Sequence, residues 1–157
     1  MRKQKIVIAV IGGSQISPKV EKLARAVGKM IAESGCVLVC GGLGGAMEAA
    51  AKGAQEAGGL TIGLLPGKVK TDANAYIDIA LPTTIGFARN AMVAASGDII
   101  VALPGSHGTN SEICYALVYK RPVIDLGGWK IKGMIPAGNV ARARQKINKI
   151  IEQLQHA

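Results

Sequence analysis

The sequence predicts an α/β fold built on a doubly wound parallel sheet, and three observations predict it. Apolar, β-branched runs alternate with stretches of helical spacing from residue 6 to residue 155. The runs are continuous rather than alternating, as in strands covered on both faces. Glycine, at 21 of 157 residues, punctuates most junctions, which points to tight turns and close packing of helix on sheet. The length suits one domain, 1–157, burying roughly 70% of its unfolded surface, and 49% hydrophobic residues exclude a disordered chain.

The elements follow in order. Ile6 to Ile11 reads as the first strand; Ser17-Pro18 caps a helix carrying Val20, Leu23, Val27 and Ile31 on one face, and Gly35 ends it. Cys36 to Cys40 is the second strand, an alanine-rich helix runs from about Ala46 to Ala57, and Leu60 to Leu65 is the third strand. Residues 66–75 read as a polar loop and candidate lid. Ile77 to Leu81 is a short strand, followed by a helix over 85–96, a strand over 99–103 and the loop Pro104 to Thr109. A helix over 110–119 then places Glu112 in its first turn, Val123 to Leu126 is a strand, and a helix over 139–155 closes the chain.

The net charge of +9 suggests nucleic acid until it is located. The first five residues carry +3 (Arg2, Lys3 and Lys5) and residues 130–157 carry +5, which leaves +1 for the rest. With five aromatic residues in all, base stacking has little to stand on, and a single-strand nucleic-acid-binding module is the weakest of the functional readings. Cys36, Cys40 and Cys114 make no disulfide framework, which favours a reducing, cytoplasmic setting. Cys36 and Cys40 fall on one strand face about 13 Å apart, too far for a shared zinc ion, and no metal site is expected. The longest uncharged stretch, Ser34 to Met47, has 14 residues and five glycines, too short and broken for a membrane span.

In such a sheet, ligands bind beyond the carboxyl ends of the strands. Four segments emerge there: Gly12 to Ser14, Gly41 to Gly45, Thr83 to Arg89 and Pro104 to Thr109. Glycine loops that open into helices let backbone amides approach an anion, usually a phosphate. Candidate ligand-binding residues are therefore Gly13, Ser14, Gly41, Gly42, Gly44, Gly45, Gly105, Ser106, His107, Gly108 and Thr109, with Asn90 beside them. For His107, an exposed loop position and a ligand contact are both open. Neither GxGxxG nor GxxxxGK[ST] is present, because Met47 and Val69 fall where those patterns fail. Arg89 and Glu112 flank the loops, and such a pair could orient a ribose and supply acid–base or oxocarbenium-stabilising chemistry. Asp98 reads as fixing a turn.

The segment from Gly86 to Glu112, GFARNAMVAASGDIIVALPGSHGTNSE, resembles the LONELY GUY family, long labelled lysine decarboxylase-like. That family's arginine in MHxRK falls on Arg89, its aspartate on Asp98, and its PGGxGTxxE runs from Pro104 to Glu112. Upstream, GGLGGAMEAAAKGAQEAGGLTIGLLPG is similar to the molybdenum-cofactor-carrier-like branch of the same superfamily. The resemblance implies a Rossmann-like fold, a homo-oligomer (dimer or tetramer), and a pocket for a small phosphorylated ligand, either a pterin cofactor or a nucleoside monophosphate. Members that are phosphoribohydrolases use the positions of Arg89 and Glu112 catalytically and need no cofactor. Three departures from the hydrolase pattern, Phe87 for histidine, Asn90 for lysine and Ser106 for glycine, favour the carrier-like branch. Lysine decarboxylation is rejected, since neither Lys52 nor Lys68 lies in a motif for it.

Overall fold

The computed structural model describes residues 4–157, so Arg2 and Lys3 of the N-terminal basic cluster lie outside the described residues. The strands are β1 (Val7–Ile11), β2 (Val37–Cys40), β3 (Thr61–Leu65), β4 (Ile79–Pro82), β5 (Ile99–Ala102), β6 (Val123–Asp125) and β7 (Ile135–Pro136). The helices are α1 (Pro18–Glu33), α2 (Ala46–Glu56), α3 (Arg89–Ser96), α4 (His107–Val118) and α5 (Val140–His156). All seven strands pair in parallel in the order β4-β3-β2-β1-β5-β6-β7. β1 is the strand from which the chain winds out in both directions, as the alternating pattern requires.

Helices α1, α2 and α5 cover one face, packing on Ile8, Val10, Leu38, Ile99, Val101 and Ile124. Helices α3 and α4 cover the other, on Ala9, Ile11, Val39, Ile100 and Ala102. Alternate residues of each strand feed the two layers, which is why the strands read as unbroken apolar runs. The side chain of Ser17 caps α1 by accepting from the Val20 amide at 3.2 Å, and Asn139 caps α5 by accepting from Arg142 at 2.9 Å. The glycines foreseen for helix-on-sheet packing serve helix-on-helix packing instead between α1 and α2. A Cβ on Gly28 would lie 1.8 Å from the Ala50 carbonyl oxygen, and one on Gly53 would lie 2.0 Å from that of Arg25.

Asp98 has a structural role at the opposite end from the glycine loops: its carboxylate accepts from the Val7 amide at 2.8 Å and fixes the start of β1. Cys36 and Cys40 are buried in one layer, and all three cysteines are free thiols. Beyond β6, the buried Asp125 carboxylate gathers the amides of Gly127, Trp129 and Lys130. This tight turn directs the Trp129 indole N–H to the Leu103 carbonyl at 2.9 Å.

Three expectations need correction. β7 has two residues, too few for any periodicity to register, and it forms because β6 offers a free edge. α4 begins at His107, three residues early; Gly108 reads as loop, yet first-turn amides need no intrahelical partner and glycine is tolerated there. Glu112 consequently sits in the second turn rather than the first. Residues 66–75 do not form a lid: the Asn74 amide and side chain donate to the carbonyls of Gly42 (2.9 Å) and Leu43 (2.8 Å), tying the segment down.

Candidate functional site

Neighbouring connections leave the sheet in opposite directions at β1 and β5, and a cleft of about 840 Å³ opens at their carboxyl ends. Its rim is stitched from three loops. The Gly13 amide donates to the Pro104 carbonyl and the Ala46 amide to the Gly13 carbonyl, both at 2.9 Å. Gly12, Gly13 and Ser14 line one side, Ser106 to Thr109 the amino end of α4, Leu43 and Met47 a third wall, and Phe87, Ala88 and Tyr115 the mouth. A smaller recess of about 450 Å³, lined by Ser14, Gln15, Ser17, Gly105 and Ser106 among others, continues from the Gly13 side.

The amino end of α4 is open: Ser106 is its N-cap residue, and its side chain makes no capping hydrogen bond. The first-turn amides are left to a ligand or solvent, with the positive end of the helix dipole behind them. Arg89 and Glu112 form the floor, with 6% and 8% of their surface exposed. Arg89 Nη1 donates to Asn90 Oδ1 and Nη2 to the Gly41 carbonyl at 3.4 Å, while its Nε is buried without a partner. Asn90 in turn donates to Ser111 Oγ at 3.1 Å and to the Gly108 carbonyl at 3.4 Å. Asn90 therefore links Arg89 to the first turn of α4.

Among the described residues, Glu112 makes no hydrogen bond and no ion pair, and the two hydrogen bonds of Arg89 go to Asn90 and the Gly41 carbonyl. Burial pushes its carboxyl up to about 8, and the nearby Arg89 charge offsets only part of this. Burial also lowers Arg89 from its ordinary value, with Glu112 pulling the other way. The Cys40 thiol beneath them is pushed up to about 12 by burial, so it stays a neutral core group.

Of the sequence-predicted residues, the cleft brings together Gly13, Ser14, Arg89, Asn90, Ser106, His107, Gly108, Thr109 and Glu112. His107 is exposed at its rim. Gly41, Gly42, Gly44, Gly45 and Gly105 are not among its lining residues. Gly41 makes room for Arg89, whose Nη2 would lie 2.6 Å from a Cβ there, and Gly105 makes room for Thr109 Oγ1 at 2.1 Å. Gly45 has a φ of +70° and lies against the Gly13 carbonyl, joining two loops. Leu43, Met47, Ser111 and Tyr115 escaped the sequence reading. Tyr115 lies three residues beyond Glu112 on one helix face, a spacing that carries the signal, whereas Met47 and Leu43 depend on how the loops meet.

The profile of the SLOG cluster4 family matches residues 5–155. The chain belongs to the SLOG cluster4 family. An uncharacterized protein of Archaeoglobus fulgidus is 44% identical over 119 residues, 76% of this chain and 78% of its own length. The molybdenum cofactor binding protein of the phototrophic bacterium Rippkaea orientalis superimposes with a TM-score of 0.88 at 36% identity, over 96% of this chain and 99% of that one. The molybdenum cofactor carrier protein of Chlamydomonas reinhardtii gives 0.86 at 33% identity, over 95% and 99%. This SLOG protein thus has the Rossmann-like fold of the molybdenum-cofactor-carrier-like branch. No helix among its described residues is long and apolar enough to cross a membrane.

Proposed function

We propose that the cleft of this SLOG protein holds the molybdenum cofactor through its phosphorylated pterin, and that the protein carries this ligand. The observation that supports the reading most is the meeting of an uncapped helix amino end with a buried arginine whose Nε has no partner. The α4 amides, Ser14, Ser106 and Thr109 would hold the phosphate, with Arg89 supplying positive charge from below. The ring would lie between Leu43, Met47, Phe87 and Tyr115. Asn90 fits this role better than the lysine of the hydrolase pattern, because a lysine could not accept from Arg89.

Thermal-shift titration with molybdopterin, AMP and other nucleotides tests the reading. Molybdopterin is expected to raise the midpoint progressively with concentration. The absence of a shift with every ligand at millimolar concentration would overturn it.

The acid at Glu112 favours a second reading, hydrolysis of a nucleoside 5′-monophosphate between base and ribose. A carboxyl protonated near neutral pH suits a general acid delivering its proton to the departing base. Chromatography would then find free base released from AMP, and activity surviving Arg89→Ala or Glu112→Ala would remove this mechanism.

The assembly we propose is a homo-oligomer through α3 and α4, whose outer face exposes Met92 and Val118 (74%), with Tyr119 just beyond α4 and Phe87 just before α3 at the cleft mouth. Light scattering would distinguish monomer, dimer and tetramer. We propose a cytoplasmic setting, a reading that the free thiols support.

A further inference from the structure

We infer that Glu112 reads the ring of the ligand, accepting from two adjacent N–H donors such as the N–H and amino group of a 2-amino-4-oxopyrimidine ring, the edge shared by pterin and guanine. This rests on the reading that the cleft takes a phosphorylated ring compound, and it names the feature by which that ring is chosen.

The first support is geometric. Glu112 lines the cleft in the second turn of α4, more than nine-tenths buried, with both carboxyl oxygens lacking a donor among the described residues. Nor does the cation on the floor pair with it: the two hydrogen bonds of Arg89 go to Asn90 and the Gly41 carbonyl. Its oxygens are open to the cleft and take no donor from the described residues, so only water serves them until a ligand with N–H donors displaces it. Leu43 and Met47 wall the cleft and Phe87 and Tyr115 edge its mouth, apolar and aromatic surface against which a flat ring can lie.

The second support is the chemistry of matching edges. A carboxylate offers two coplanar acceptors and pairs with two parallel N–H groups. Adenine offers one donor beside an acceptor, and hypoxanthine lacks the 2-amino group, so each leaves one carboxylate oxygen unpaired. A protonated Glu112 could pair with adenine, and magnitudes decide between the two. Ionising at pH 7 a group that titrates near 8 costs about tenfold in affinity. Each charge-assisted hydrogen bond returns roughly tenfold or more, so two of them outweigh that cost and outbid two neutral bonds.

Binding of such a ring therefore expels the Glu112 proton. The titratable groups facing Glu112 are Arg89 on α3, the Cys40 thiol at the end of β2, and His107 and Tyr115 on its own helix. GMP and IMP differ only in the 2-amino group, so comparing them isolates Glu112 from these groups and from the phosphate.

Isothermal titration of the full-length protein with GMP, IMP and AMP between pH 6 and 8, in two buffers of different ionisation enthalpy, tests the inference. Chromatography of each mixture confirms that the nucleotide stays intact. The expected result is that GMP binds at least about tenfold tighter than IMP or AMP, releases up to one proton, and loses its advantage over IMP in Glu112→Gln. Equal affinity for GMP and IMP, tighter binding of AMP, GMP binding without proton release, or failure of GMP to bind at millimolar concentration would each overturn it. In those cases stabilisation by molybdopterin would leave the carrier reading standing, whereas its absence as well would remove both. Proton release is read on the wild-type chain, so the test holds even where Glu112→Gln folds poorly.

Discussion

On one face of the sheet, α1 and α2 press together until Gly28 meets the Ala50 carbonyl, and the outer surface is charged, with Arg25 bonded to Glu56 and Arg144 to Glu33. On the other face, α3 and α4 contain only two charged residues, Arg89 and Glu112, and both are buried against the cleft, while Phe87 and Val118 stand in solvent. The first face places charge where water solvates it and uses close backbone contact for cohesion. The second does the reverse, burying its charge and exposing its apolar groups. The difference separates the layer that stabilises the fold from the layer that is costly to keep and is expected to bind.

Four substitutions would break or sharpen that contrast. Gly28→Val should have the largest effect, more than about 3 kcal/mol of lost stability, because the new side chain meets backbone rather than a movable side chain; urea denaturation measures it. Glu112→Gln, on the opposite face, should stabilise the ligand-free protein by about 1–3 kcal/mol at pH 8. The folded carboxyl titrates near 8 against 4.5 for an ordinary glutamate, so the folded state holds the extra proton between those values. Wild-type stability therefore falls relative to Glu112→Gln as pH rises through that window, and the gap is constant above it. Melting curves from pH 4.5 to 9 that stay parallel would refute this.

Arg25→Ala removes an exposed ion pair and should change stability by less than about 1 kcal/mol. Val118→Asp should move the folding free energy of the single chain least, within about 0.5 kcal/mol, since the side chain is exposed. Its readout is assembly: light scattering should report a smaller species, and an unchanged mass would place the proposed interface elsewhere.

The charged face and the sheet were largely legible in the sequence, because strand runs, caps and helical spacing are local signals. Ser17 and Asn139 cap the helices they precede, and the strands Val7 to Ile11 and Ile99 to Ala102 stand within a residue of their apolar runs. Arg89 and Glu112 were legible as a pair through their motif, and the structure brings both to one cleft floor. The division of labour among the glycines was not legible, since a phosphate cradle and a close loop crossing demand the same residue. Gly41 accommodates Arg89 from 48 positions away, and no spacing rule reports that. Asn74 was equally hidden: a polar residue in a polar loop gives no sign that it will hold the Gly42 and Leu43 carbonyls.

The hydrogen bond from Trp129 to the Leu103 carbonyl supplies an optical handle. Trp129 is the sole tryptophan of the chain, and its partner immediately precedes the loop that turns into α4. Intrinsic emission therefore comes from one indole tethered at the edge of the binding region, and any ligand that shifts Pro104 to Thr109 should alter its wavelength or quenching. Occupancy can be followed in the unlabelled protein by fluorescence alone.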